Sequence, residues 1–180
     1  MKQELKAIIA ADMLRYYDKV PVIKPIQVKY LITYRKAAFY PKKSIRGLYY
    51  RVRLNWLSEK SGIQIPTKAK IGKGFYIGHF GTIIVNPEVE IGENVNIASG
   101  VTIGKTNRGE KKGVPQIGNK VWIGTNAVIV GNIKIGDDVL IAPNAYVNMD
   151  IPSNSIVIGN PAVIHLRDNA TEGYINRIVE

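Results

Sequence analysis

The 180-residue sequence contains no cysteine, only two histidines, and no apolar run long enough to cross a bilayer. The missing thiols exclude disulfides, thiolate metal sites and a cysteine nucleophile. A zinc ion held by three histidines is excluded as well, because His79 and His165 are the whole supply. A membrane span needs about 20 apolar residues, and the first residues show no signal-peptide pattern. We therefore expect a cytoplasmic protein that holds no metal.

Acidic residues are scarce in the first third of the chain. Residues 1–60 hold 14 Lys or Arg and only four Asp or Glu, a net charge of +10, whereas residues 61–180 carry only +1. Charge concentrated in one block suits an anionic partner, and tyrosines are interleaved with these cations. We expect residues 1–60 to make peripheral contact with an anionic membrane surface. Nucleic acid is not expected as a partner, because no recognition motif accompanies the charge.

Hydrophobic spacing predicts three helices in this basic region. They cover residues 3–19, about 27–39, and a stretch that begins after Ser44 as N-cap and ends at Gly62. The alternative to membrane contact is that these helices only cap the open end of the repeat described next. In the third helix five apolar residues fall on one stripe, and they are Ile45, Leu48, Tyr49, Val52 and Trp56.

One pattern organises the chain from Ile65 to Val147: an aliphatic residue returns every six positions, often followed by glycine or alanine. This period fits neither a 3.6-residue helix nor a two-sided strand, but it fits stacked units that bury a shared core. Three steps closing one triangular coil give roughly five coils, each rising about 4.8 Å. We predict a mainly β fold, a parallel β-helix of hexapeptide repeats that follows a short α-helical region.

The repeat is interrupted twice. The step from Ile83 takes eight residues, around Asn86-Pro87, and the step from Ile103 takes fourteen, which predicts a protruding loop at 104–116. Insertions in repeat proteins commonly build the binding face. The predicted organisation is an N-terminal region at 1–62, a β-helix domain at 63–150, and a C-terminal tail at 151–180 that closes the β-helix.

The repeat also carries segments more specific than its period. They are Ile71-Gly-Lys-Gly-Phe-Tyr-Ile-Gly-His79, Val101-Thr-Ile-Gly104, Ile117-Gly-Asn-Lys-Val-Trp-Ile-Gly124, Gly131-Asn-Ile-Lys-Ile-Gly-Asp137, Asp150-Ile-Pro152 and Gly159-Asn-Pro-Ala162. With these segments the chain resembles the left-handed β-helix hexapeptide acyltransferases, of the serine acetyltransferase and colanic-acid-type polysaccharide O-acetyltransferase branches. The resemblance implies transfer of an acetyl group from acetyl-CoA to a hydroxyl, in homotrimers with active sites between neighbouring subunits. The left hand of the β-helix is also implied by the resemblance alone.

By this resemblance His79, at a bend two residues after Ile77, is the general base that takes the proton from the acceptor hydroxyl. An alcohol is a weak nucleophile, and imidazole exchanges protons readily near neutral pH. Gly78 stands where the family has an aspartate that orients the histidine. Another group must therefore orient His79 here: a backbone carbonyl, Glu88, a group of the neighbouring subunit or Asn86. Asn86 is our candidate. His165 lies beyond the repeat, and we expect it to be structural.

The resemblance further implies that coenzyme A lies in a groove between adjacent coils. Gly104 and Lys105, at the root of the loop, are candidates for an oxyanion-type amide and a phosphate contact. The other candidates lie near the path of the pantetheine, and they are Gly124, Thr125, Ala142, Pro143, Asn148 and Met149.

Departures from the family pattern bear on the acceptor. Enzymes that hold serine carry Arg-His before a proline in the loop, whereas Gly113 and Val114 precede Pro115 here. We therefore predict a sugar hydroxyl in surface or capsular polysaccharide biosynthesis, which would place the enzyme at the inner face of the cell membrane. Serine O-acetylation in cysteine biosynthesis is the alternative. A non-catalytic β-helix scaffold or binding module is the alternative from another class, and a zinc carbonic anhydrase on a similar helix is excluded by the histidine count.

Overall fold

The chain folds into three helices followed by a stack of parallel strands, as a computed structural model describes for residues 2–17 and 23–180. The mainly β fold is confirmed, with about five coils in the stack. The helices are α1 (Lys2–Leu14), α2 (Ile26–Phe39) and α3 (Ile45–Ser61). The strands are β1 (Ile63–Gln64), β2 (Lys70–Ile71), β3 (Tyr76–Ile77), β4 (Ile83–Val85), β5 (Glu90–Ile91), β6 (Asn96–Ile97), β7 (Thr102–Gly104), β8 (Gln116–Ile117), β9 (Val121–Ile123), β10 (Val128–Val130), β11 (Lys134–Ile135), β12 (Val139–Ile141), β13 (Tyr146–Val147), β14 (Ser155–Ile158) and β15 (Val163–Leu166).

From β1 to β13 successive strands belong in turn to three different sheets, which form the three faces of the stack, and the last strand, β15, pairs antiparallel with β14. Sheet A has the order β1-β4-β7-β10-β13, sheet B the order β11-β8-β5-β2, and sheet C the order β15-β14-β12-β9-β6-β3. The register places the repeating aliphatic residues above one another. On sheet C, Ile77 pairs with Ile97, Ile97 with Ile123, and Ile123 with Ile141. All four side chains are buried, so the six-residue period forms one continuous core along the axis.

Glycine follows many of the aliphatic residues because neighbouring coils approach closely at the corner between sheets B and C. A methyl group added at Gly92 would lie 2.5 Å from the carbonyl oxygen of Gly118 in the next coil. Gly72 has the same relation to Gly92, again at 2.5 Å. Real Cβ atoms do not come so close, so the small residue of the repeat is required by packing between coils.

The helices match the predicted spans with one difference. The Ser44 hydroxyl caps α3 by accepting a hydrogen bond from the Gly47 N–H at 3.0 Å, and Gly62 ends the helix with a left-handed φ of 76°. The prediction for the first helix extended to residue 19, but α1 ends at Leu14. The next two backbone N–H groups turn back to the carbonyls of Asp12 and Met13, which ends the helix, and residues 18–22 lie outside the described part of the chain.

Side chains from the helices cover the open edge of the first coil. The Tyr30 hydroxyl accepts from the Ile65 N–H at 2.9 Å and donates to the Ile65 carbonyl at 3.2 Å, and Tyr34 donates to the Ala69 carbonyl at 2.7 Å. Burial raises the pKa of Tyr34 to about 12, so its phenol remains a neutral donor at physiological pH. An exposed strand edge would otherwise invite pairing with other chains. The helices therefore close one end of the β-helix.

A buried ion pair between α1 and α2 completes this cover. Arg35 donates to both carboxylate oxygens of Asp12, at 2.8 and 3.1 Å, and also to the carbonyls of Ile71 and Gly72, each at 2.6 Å. Asp12 in turn accepts from the Phe75 N–H at 3.0 Å. Burial raises the pKa of the Asp12 carboxyl, against the opposite effect of the Arg35 charge. One ion pair thus joins both helices to the first coil.

The C-terminal residues run back along sheet C towards the first coils. Tyr174 packs edge-on against Trp122 with ring centroids 5.0 Å apart. Asn94 binds Val179 through both amide atoms, accepting from its N–H and donating to its carbonyl at 2.9 Å each. The tail therefore crosses several coils and ends beside the helical cover.

No helix in residues 2–17 or 23–180 combines the length and apolarity that a membrane span requires.

Candidate active site at the corners of the coil

His79 lies at the corner where sheet C turns into sheet A, between β3 and β4. Strand alternation turns Ile77 into the core and Gly78 outward, so His79 follows at the bend with its side chain exposed. Phe80 beside it is also largely exposed. An exposed imidazole at this corner is accessible to a substrate.

The register places four further candidate residues on the same corner. Counting two residues beyond the aligned Ile77, Ile123 and Ile141 brings Thr125 and Pro143 above His79 in later coils. We call this corner the His79 edge; it comprises residues 78–82, 98–101, 124–127 and 142–145. Its side chains above His79 are small, and a Cβ added at Gly124 would lie 2.6 Å from the Pro143 nitrogen. Gly124, Thr125, Ala142 and Pro143 therefore share one smooth edge with the histidine.

The other candidates lie on a different corner. Val85, Ile103, Ile129 and Val147 are aligned across sheet A, so the residues that follow them meet where sheet A turns into sheet B. We call this corner the loop edge; it comprises residues 86–89, 104–115, 131–133 and 148–150. A three-residue strand of sheet A, about 10 Å long, separates the two edges. The candidates on the loop edge are Asn86, Gly104, Lys105, Asn148 and Met149.

Asn86 does not reach His79 within one chain, because the two residues lie on opposite edges of sheet A. Its side-chain oxygen accepts instead from the Glu88 N–H at 3.0 Å, which closes the turn at Pro87. Any part that Asn86 has in orienting His79 requires the loop edge of a neighbouring subunit. That part remains a prediction.

The loop between β7 and β8 folds back on the stack. Thr106 and Gly113 pair through two backbone hydrogen bonds of 3.0 and 2.9 Å, which close the base of the loop. The Lys111 carbonyl accepts from the Asn132 N–H at 3.0 Å, and its ammonium donates to the Asn148 carbonyl at 2.8 Å. The loop is thereby fixed against the later coils of its own chain.

Lys105 is paired with an acid across the coils. Its ammonium lies 3.1 Å from a Glu88 carboxylate oxygen, and Lys68 lies 3.7 Å from the other oxygen. The hydrogen bond and charge of Lys105, with a smaller effect of Lys68, lower the pKa of Glu88. Surface pairs of this kind are weak and exchange easily, so Lys105 remains available to a phosphate that competes with Glu88.

Gln27 is a residue of this region that the sequence did not single out. From the first turn of α2 its amide donates to the Gly78 carbonyl at 3.4 Å, directly before His79. Its side-chain oxygen is buried and has no hydrogen-bond partner in the described part of the chain. A polar residue at the start of a helix after Pro25 carries no sequence signal for such a position. The amide links the helical cover to the peptide that carries the histidine.

The second histidine is remote from the first. His165 lies on β15, and β15 and β3 are the two outer strands of the six-stranded sheet C. Five strand spacings of about 4.8 Å separate them, roughly 24 Å. Within the described ranges no three His, Asp or Glu side chains are grouped so that they could hold a metal ion.

Comparison with known proteins agrees with this architecture. Residues 115–148 match the family model described as bacterial transferase hexapeptide (six repeats). The solved structure of serine acetyltransferase from Brucella abortus superposes with a TM-score of 0.78 at 27% identity, over 94% of this chain and 72% of that one. The coenzyme A complex of the same enzyme gives 0.78 at 26% identity, over 92% and 69%. These matches are consistent with the left-handed β-helix acyltransferase fold that the resemblance implied.

Curated relatives carry the same name. Serine acetyltransferase of Helicobacter pylori is 40% identical over 108 residues, which are 60% of this chain and 63% of that protein. Serine acetyltransferase of Staphylococcus aureus is 40% identical over 113 residues, 63% of this chain and 53% of that protein. The chain thus spans between half and two-thirds of these relatives. Their names favour serine, the alternative acceptor, over the polysaccharide acceptor that we predicted first.

Proposed function

We propose that the chain is an acetyl-CoA-dependent O-acetyltransferase with His79 as its general base. The observation that carries this proposal is the exposed imidazole of His79 on an edge of small residues, in a β-helix similar to acetyltransferases solved with coenzyme A. The imidazole takes the hydroxyl proton as the acceptor oxygen attacks the thioester carbonyl. Collapse of the tetrahedral adduct breaks the carbon–sulfur bond, and the coenzyme A thiolate recovers that proton from the imidazolium. No external reagent is needed.

Acetyl-CoA is proposed to lie along the His79 edge. Gly124, Thr125, Ala142 and Pro143 offer a path without large side chains, which an extended pantetheine requires. On the loop edge Gly104 and Lys105, with Asn148 and Met149, are proposed to receive the phosphate end from a neighbouring subunit. Within one chain the His79 edge and the loop edge are separated by the length of one strand. The proposal therefore requires a homotrimer in which the His79 edge of one subunit faces the loop edge of the next. Sedimentation equilibrium tests this, since a single-chain mass of 20.0 kDa would contradict it.

L-serine is the acceptor that we propose first, because the relatives and structural neighbours reported above are named serine acetyltransferase. A sugar hydroxyl is the second candidate, and it is supported by the loop. A Cβ added at Gly113 would lie 2.8 Å from the Asn132 Cβ, and Val114 packs partly against the core. Gly113 and Val114, at the positions that carry Arg-His in serine-binding enzymes, therefore pack against the stack and offer no charged side chain to serine.

A comparison of acceptors with the wild type and the variant Gly78→Asp distinguishes L-serine from a sugar. The site has room, because an added Cβ would lie 3.6 Å from the Tyr76 ring and 3.9 Å from the Ile97 carbonyl. If serine is the acceptor, a carboxylate beside His79 restores the family's charged partner and should raise kcat/KM for serine about tenfold. The measurement is coenzyme A thiol release with L-serine and with a panel of saccharides at equal concentrations.

Gly78→Ala is the matched control, since it adds the Cβ without the charge. We expect Gly78→Ala to leave kcat/KM unchanged with either acceptor. Thiol release that is stimulated by a saccharide and not by serine, in the wild type and in Gly78→Asp alike, would contradict serine as acceptor and establish the second candidate.

A further inference from the structure

One face of α3 is apolar and stays exposed in the described part of the chain. The helix packs on the first coil through Leu54 and Leu57, which are buried on its inner side. The stripe on the opposite side is between 55% and 90% exposed. We call it the α3 stripe, and it consists of Ile45, Leu48, Tyr49, Val52 and Trp56. A contiguous exposed apolar patch bordered by polar residues marks an interaction site.

Cations border the α3 stripe. Lys42 and Lys43 precede it, while Arg46, Arg53 and Lys60 follow one side of the helix, and all five are exposed. Glu59 is the only acid among residues 40–61. An apolar helix face with a basic border is typical of helices that lie in a membrane interface.

A basic groove continues the border towards α2. Its volume is about 480 Å³, and Lys29, Lys36, Tyr50 and Arg53 are among its lining residues. The Lys36 ammonium lies 5.2 Å from the centre of the Tyr50 ring. Both residues line the groove, so this positive charge belongs to its wall. Ile23 at the rim is strongly exposed. Tyrosine and lysine side chains that lie together are typical of surfaces that contact lipid headgroups.

The geometry points to an anionic lipid bilayer as the partner of this face, with the α3 stripe inserted at the boundary between headgroups and acyl chains and the basic groove at the phosphates. A second copy of the chain is disfavoured because a symmetric contact would bring the same cations together. The occupant is a membrane surface, whichever hydroxyl accepts the acetyl group. Because α3 packs on the first coil, which also carries His79, docking would hold the catalytic corner near the bilayer.

Trp56 reports insertion directly. The protein has two tryptophans, and Trp122 is packed against Tyr174, so Trp122→Phe leaves the one on the stripe as the only probe. With vesicles of anionic phosphatidylglycerol mixed with phosphatidylcholine, the emission of Trp56 should shift to the blue and the full-length protein should float with the vesicles. Pure phosphatidylcholine vesicles, or high salt, should reduce binding at least about tenfold.

Two pairs of variants separate apolar from electrostatic contributions. Val52→Ser with Trp56→Ser, and Arg46→Glu with Arg53→Glu, should each weaken vesicle binding at least about tenfold. Leu166→Ser and Lys120→Glu change exposed residues elsewhere and should leave binding unaltered. Absence of flotation at low salt would overturn the proposal. So would loss of the oligomer in Val52→Ser with Trp56→Ser, which would assign the stripe to a contact between copies.

Discussion

Replacing His79 by alanine is expected to lower kcat for acetyl transfer about 10²–10⁴-fold, the usual contribution of a positioned general base. The side chain is exposed at a corner, so its removal costs little packing and the fold should persist. The measurement is thiol release from acetyl-CoA at a saturating concentration of the acceptor. Acetyl-CoA binding, measured by calorimetry, should remain close to that of the wild type.

His165→Ala is the control for this prediction. His165 is likewise exposed, but it lies on β15 at the other end of sheet C from the strand that precedes His79. Its replacement should leave kcat unchanged. A His79→Ala variant with full activity would remove the general-base assignment, and an equal loss in both variants would show that the effect is not specific to the corner.

Arg35→Ala is expected to reduce the free energy of unfolding by about 3–5 kcal/mol, because it leaves the Asp12 carboxylate buried without its charged partner. The same change removes the donors to the Ile71 and Gly72 carbonyls on the edge of the first coil. Urea unfolding followed by circular dichroism measures the loss. Lysine at this position should recover only part of it, since an ammonium cannot reproduce the planar, bidentate contact.

The exposed ion pair of Lys70 and Glu90 is the control for the stability loss expected in Arg35→Ala. Lys70 and Glu90 pair on the outer face of sheet B, and Lys70→Ala should cost no more than about 1 kcal/mol. The double variant Asp12→Ala with Arg35→Ala should lose less than the two single losses combined, because no unpaired charge remains. An Arg35→Ala variant as stable as Lys70→Ala would contradict the role assigned to the buried pair.

The repeat predicted the β-helix because its signal is local and regular. An aliphatic residue every six positions specifies which side chain turns inward, and stacking follows from the need to bury those side chains together. Ile77, Ile97, Ile123 and Ile141 occupy one aligned column as a result. Gly92 shows that the small residue of the repeat has a packing reason of its own.

The arrangement of the site could be predicted less well, because closeness in sequence misleads in a coil. Asn86 is only seven residues from His79, yet those residues include a whole strand of sheet A and take the chain to the next corner. Thr125, in contrast, is 46 residues away in sequence and lies on the same edge as His79. Counting positions within each six-residue step distinguishes the corners, whereas sequence distance does not.

The contacts of the helical cover left no periodic trace in the sequence. Arg35, Tyr30 and Gln27 meet the first coil through tertiary contacts that depend on how α2 lies across it. In α3 both sides carry apolar residues, and the packing of Leu54 and Leu57 against the coil determines that Trp56 faces outward. Hydrophobic spacing predicts such a helix but does not predict which of two apolar sides is buried.

The most direct test of the central claim is the ratio of acetyl ester formed to coenzyme A released by the wild-type protein, measured with and without acceptor. Direct transfer by a base at His79 predicts one ester for each thiol when L-serine or the active saccharide is present. It also predicts almost no thiol release in the absence of an acceptor. Thiol release that does not depend on an acceptor would contradict direct transfer and indicate hydrolysis of the thioester. No release with any acceptor would also contradict the account and leave a scaffold without catalytic activity.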